Sequence, residues 1–244
     1  MLTFYRRIRK ALIGGGTVSR YTLYAFGEIA LVVIGILIAL QINNWNEYQK
    51  NRIIEREILQ DILTNLEDNN EIIRATLNKI EEFDQSTDII LSAIENKTPY
   101  NDDMAGHFFS CNRTGGLMFP LGSAGYESFK NQGFNIVRSK VIKDRVLQLF
   151  EVSIDRIKTK AQWTMDGGHA ADMYTQSLFR QIPGQQIIPV DYDQLLEDYQ
   201  YQSIILNIKE SRRGFLKEDV VRHLRDSEEL IQLIEEELTQ STNQ

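Results

Sequence analysis

His107 and Cys111 stand four residues apart, the spacing that places two metal ligands on one face of a helix. A zinc site needs three or four such ligands. The other histidines, His169 and His223, lie far along the chain. The pair therefore reads as a free thiol beside a hydrogen-bonded imidazole. No nucleophile elbow (G-x-S-x-G), H-E-x-x-H or C-x-x-C occurs. The glycine run at 14–16 lacks the Lys-Ser/Thr of a phosphate loop and reads as a break before the apolar stretch that follows. "NRT" at 112–114 fits a glycosylation sequon, a three-residue pattern of low specificity. Arg212, Arg213, Arg222, His223 and Arg225 could hold an anion. Glu210, Glu218, Asp219, Asp226 and Glu228 interleave with them, so a solvated, ion-paired helix face is the expectation. No residue is assigned to catalysis, to a cofactor or to a metal, and the chain is expected not to be an enzyme.

Glu28 poses a different chemical question. It opens "GEIALVVIGILIALQINNW" (27–45). In the twenty residues from Leu23 to Ile42, only Glu28 and Gln41 are strongly polar. At a rise of ~1.5 Å per residue this window spans about 30 Å, the thickness of a hydrocarbon core. It is apolar on every side, unlike an amphipathic surface helix. Tyr21 and Tyr24 lie at one end and Trp45 at the other, where aromatic residues meet the two membrane interfaces. Arg6, Arg7, Arg9 and Lys10 precede it, attracted to anionic headgroups. QINNWNE offers no small-residue cleavage site, so an uncleaved signal anchor is expected. The cationic excess before the span places the N-terminus in the cytoplasm. Glu28 then has two readings. It reaches headgroup water or pairs with the basic arm, or it marks an ion pathway or a partner helix. Glu28, Gly35 and Ile42 are seven apart, and Ala39 shares their side. Gly35-x-x-x-Ala39 is a small-residue pair that lets another helix approach closely, so self-association or association with another membrane protein is expected through this face.

"FYRRIRK" (4–10) followed by "YTLYAFGEIALVVIGILIALQINNWNE" (21–47) resembles a family of uncharacterised single-pass envelope proteins of Gram-negative bacteria. "GYESFKNQG" (125–133), followed by "SKVIKDRVLQLFE" (139–151), is similar to a second, weaker pattern of that family. The resemblance implies an inner-membrane anchor and a helical extracytoplasmic region. It implies no activity, ligand or catalytic residue.

The elements beyond the anchor read as helices. Ile54, Ile58, Ile62, Leu66, Ile73, Leu77, Ile80 and Phe83 form a stripe running to about Glu95, with Asn69 and Thr76 as its imperfections and Asn70 on the other side. "ENKTPYNDD" is a turn, followed by a short helix over Asp102 to Cys111. "NRTGGLMFPLGSAG" is irregular, and its large apolars are expected to fold back on a core. A short helix ends at Gly133, and Ser139 caps a long one carrying Val141, Ile142, Val146, Leu149, Phe150, Ile154, Ile157 and Ala161. Gly167-Gly168 ends or kinks it, and a further helix is expected to about Gln181. "IPGQQIIPVD" reads as a loop. Another helix runs to Gly214, which interrupts it, and the last spans Lys217 to Thr239. No sustained strand alternation is visible. The expected class is all-α: one N-terminal transmembrane helix continuing into an antiparallel helical bundle. The divisions are a basic cytoplasmic arm (1–20), a transmembrane signal anchor (21–45), a helical extracytoplasmic domain (46–240) and a frayed tail (241–244).

Charge and cysteine content narrow the function classes. Five cations and no acid precede Tyr21, so the net charge of −7 is that arm's +5 set against −12 for the remainder. An acidic domain argues against nucleic acid. One cysteine precludes an internal disulfide. The leading expectation is a single-pass inner-membrane protein of unknown function, its partner the lipid bilayer, presenting a periplasmic helical domain for interaction, scaffolding or sensing. The alternative is a subunit of an ion-driven membrane machine in which Glu28 titrates.

Overall fold

A computed structural model describes residues 17–113, 120–166, 169–184 and 186–242. Arg6, Arg7, Arg9, Lys10, glycines 14–16, Leu117, Met118, Phe119 and the pair Gly167-Gly168 lie outside them. Among the described residues the architecture is all-α apart from one two-stranded sheet.

Helix α1 runs from Thr17 to Glu95, 79 residues. No proline interrupts it, and its end is chemically marked. Lys97 takes a positive φ of 49°. Thr98 N–H reaches back to the Ala93 carbonyl and Lys97 N–H to that of Ile94, the paired bonds of a Schellman cap, with Pro99 just beyond. The chain divides into two units, Met1–Ile54 and Glu55–Gln244.

In the first unit every described side chain from Tyr24 to Asn51 is exposed. Ile, Leu and Val therefore point outward all round. Among the described residues, this is the one helix long and apolar enough to cross a membrane.

The second unit opens at Glu55. Its buried carboxylate accepts the backbone N–H of Arg138 at 2.8 Å and Arg138 Nε at 3.2 Å. The stripe holds for Ile58, Ile62, Leu66, Ile73 and Ile80, all buried. Asn69 and Asn70 are buried as well, which corrects the placement of Asn70 on the outer side. The following elements are α2 (Met104–Cys111), α3 (Ala124–Gln132) and α4 (Lys140–Leu147); a π-helical segment (Gln148–Ser153) joins α4 to α5 (Ile154–Asp166). Helix α6 (His169–Leu178) leads into strands β1 (Phe179–Ile182) and β2 (Gln186–Pro189). Then come α7 (Tyr192–Leu196) and α8 (Tyr199–Ser211), with a second π-helical segment (Arg212–Lys217) joining α8 to α9 (Glu218–Thr242).

Ion pairs set the helix directions. Arg74 meets Glu228, Lys217 meets Glu81, Arg212 meets Asp84, and Lys97 meets Glu197. One number rises as the other falls, so α8 and α9 run antiparallel to α1. Arg138–Glu237, Arg145–Glu229 and Arg156–Asp219 set α4 and α5 antiparallel to α9 in the same way.

Short connections are fixed by polar side chains of α1. Asn69 clamps Gly122, accepting its N–H at 2.7 Å and donating to its carbonyl at 2.9 Å. Asn65 accepts the Gly125 N–H. A Cβ on Gly125 would stand 2.6 Å from the Asp61 carbonyl, so only glycine lets α3 begin against α1. Ser139 accepts the Ile142 N–H as the N-cap of α4. Gly133 leaves α3 at φ 91°.

Four expectations are corrected. Helix α6 stops at Leu178, and Phe179–Ile182 and Gln186–Pro189 pair as an antiparallel hairpin, Phe179 opposite Pro189 and Ile182 opposite Gln186. Gly184 turns it at φ 90°. A lone hairpin is marginal; this one is held by Phe179, whose ring packs against Phe108 and Tyr201 at 5.2 and 5.4 Å. Gly214 does not interrupt the last helices, because the π-helical segment absorbs it and the chain stays helical from Tyr199 to Thr242. Thr239 bonds back to the Glu235 carbonyl and the helix continues to Thr242, past the expected end. Val141, taken as a stripe residue, is exposed, whereas Ile142 and Val146 face the core.

Candidate functional site

Helix geometry brings Glu28, Gly35, Ala39 and Ile42 to one side of α1, all exposed. A Cβ on Gly35 would meet nothing within 4 Å. Tyr24 and Trp45 are also exposed, at the two ends of the apolar run. Tyr21 lies in the helix, but its side chain is not among those described, nor are the arginines and lysine of the arm.

His107 and Cys111 share α2 but not a site. His107 Nδ1 lies 3.1 Å from Ser86 Oγ on α1. The Cys111 thiol is fully buried, donating to the Phe108 carbonyl at 3.4 Å and lying 3.5 Å from the Tyr201 hydroxyl. Burial pushes the thiol up to about 12, and Tyr201 well above the usual phenol range. A protonated thiol is a poor nucleophile and a poor ligand. Among the described residues no three His, Cys, Asp or Glu side chains gather as a metal site. The His169 side chain lies outside those described.

The C-terminal basic cluster is corrected most. Arg212 is 0% exposed. Its Nε donates to Asp84 at 3.0 Å, one NH to Thr87 at 2.9 Å and the other to the Arg113 carbonyl at 3.1 Å. Its guanidinium carbon lies 5.8 Å from the Phe83 ring centre. Burial lowers the Arg212 pKa, and Asp84 opposes that shift. Arg213 reaches the other oxygen of Asp84 at 3.3 Å from the protein surface. His223 is buried too, its Nδ1 2.8 Å from Ser153 Oγ and its Nε2 without a hydrogen-bond partner. Burial lowers its pKa to about 4, with Asp226 opposing. Only Arg222 and Arg225 pair with neighbours on their own helix, Asp219 and Asp226. The cluster is thus split between core and surface, and Arg212 has no charge left for an external anion.

One signal for the buried pair was present in the sequence. Asp84 and Thr87 extend the inward stripe of Ile80 at intervals of four and seven, and an acid on an apolar stripe demands a buried cation. Its partner lay beyond local reading, on an element 128 residues away.

Residues 28–98 match the model of a family described as a family of unknown function (DUF6090). The matched stretch begins at Glu28 and ends just past the C-cap of α1. No curated protein and no solved structure matches the chain.

Proposed function

We propose that this chain is anchored in a bacterial inner membrane by residues 21–45, with its N-terminus cytoplasmic, and presents its helical domain in the periplasm as a non-enzymatic interaction or sensing module. The observation that carries this reading is the fully exposed apolar surface of α1 from Tyr24 to Trp45. Such a surface is unfavourable in water by about 25 cal/mol per Å² and suits lipid. The non-enzymatic part rests on the chemistry of the buried groups. Cys111 is protonated, and Arg212 and Asp84 are consumed by each other. The partner surface in the membrane is the Glu28, Gly35, Ala39 and Ile42 face. Gly35 offers nothing beyond its own backbone there, so a second helix packs close.

A photoreactive residue at Gly35 in intact cells tests this. Adducts with a second copy or with another membrane protein are expected. Lipid adducts alone would remove the association face. If the adduct is a multi-span protein, Glu28→Gln separates the readings. The change leaves function intact if Glu28 is interfacial and abolishes it, with insertion preserved, if Glu28 carries protons.

A further inference from the structure

A cleft of about 470 Å³ opens between the hairpin and the start of α2, within the 300–1,000 Å³ common for small-molecule sites. Its walls come from distant parts of the chain. Tyr100 and Tyr192 meet at 63° with ring centres 5.4 Å apart. The Tyr192 hydroxyl donates to the Thr98 carbonyl at 2.8 Å, which fixes that ring. Ile182 and Ile188 supply the hairpin wall. Among the described residues, Asp102 is the one charged lining residue. Its carboxylate is exposed and takes no hydrogen bond or ion pair among the described residues; at the same turn Asn101 receives the Asp103 N–H. The Tyr100 hydroxyl oxygen is buried behind the ring and lacks a partner. Arg180, the hairpin's cation, does not line the cleft, and Lys97 is held by Glu197.

We propose that this cleft binds a small organic cation, an ammonium group carried on an apolar body. The carboxylate of Asp102 receives the charge, the tyrosine rings offer their electron-rich faces to it, and the isoleucines cover the apolar part. Burial chiefly, and Asp102 after it, raises the Tyr100 hydroxyl; burial chiefly, and Asp193 after it, raises that of Tyr192. An anion of the same shape is repelled. The site lies wholly within the helical unit and stands whether or not the anchor reading holds.

The test titrates the full chain, in nanodiscs of zwitterionic lipid, with 4-phenylbutylammonium, 4-phenylbutanol and 4-phenylbutyrate, read by saturation-transfer NMR against empty nanodiscs. Saturable binding of the ammonium is expected, about tenfold weaker for the alcohol and absent for the carboxylate. Asp102→Asn should weaken ammonium binding about tenfold and leave the alcohol unchanged, since the side chain is exposed and makes no structural bond. Ile188→Gln should weaken both. No saturable ammonium binding, equal ammonium binding by Asp102→Asn, or equal binding of the carboxylate would overturn the assignment.

Discussion

His223 is a base kept neutral inside the core. Its folded pKa of about 4 lies below the ordinary 6.5 because burial disfavours the imidazolium. Above pH 6.5 both folded and unfolded states hold it neutral, and it costs nothing. Between pH 6.5 and 4 the unfolded chain binds the proton first, so stability falls as pH falls through that window. At pH 5 the loss is about 2 kcal/mol. His223→Gln should therefore show a flatter fall in melting temperature between pH 7 and 5 than the wild type, in the same detergent. Parallel curves would contradict the assignment. Arg212 is the other residue whose removal is diagnostic. Arg212→Met leaves the buried Asp84 with only Arg213 and is expected to cost about 3 kcal/mol. Pairing it with Asp84→Leu should recover most of that loss, because the pair exchanges two desolvated charges for apolar contact. A double variant as unstable as the single one would show that the guanidinium is held for another reason.

At the scale of elements, α3 depends on one glycine. Gly125→Ala forces a methyl into the Asp61 backbone and breaks the approach that Asn65 secures. The expected cost is about 1–3 kcal/mol, a drop of several degrees in thermal unfolding. Gly106→Ala, with open space at the same atom, serves as the control and should not destabilise. How legible each element was in the sequence follows from how local its cause is. The stripe of Ile58, Ile62, Leu66, Ile73 and Ile80 repeats within a few turns, so α1 could be read directly. The Ser139 cap and the Gly133 exit are likewise local. The hairpin was not legible because its four-residue strands are too short to alternate visibly. Its order comes from Phe108 and Tyr201, far away in sequence. Gly214 misled because a glycine counts as a breaker in isolation, whereas a π-helical turn absorbs it when both flanking helices are held by α1, through Lys209–Asp88 and Glu228–Arg74. The cleft combines Tyr100 and Asp102 with residues of the hairpin and α7, a meeting that spacing along the chain does not encode.

For the whole molecule, the main contrast is between two surfaces on one helix. Up to Asn51 the described side chains of α1 from Tyr24 onward are exposed, although most from Ile29 to Ile42 are apolar; from Glu55 onward its apolar stripe is covered. The family match spans both parts. A water-soluble protein would have to cover the first surface, and a lipid bilayer does so without further contacts. Alkaline carbonate extraction of membranes from cells expressing the full chain tests this most directly. The account predicts that the chain stays in the membrane pellet, and that Val33→Arg combined with Leu37→Arg moves it to the supernatant with its helical domain folded. Release of the wild-type chain by carbonate would contradict it.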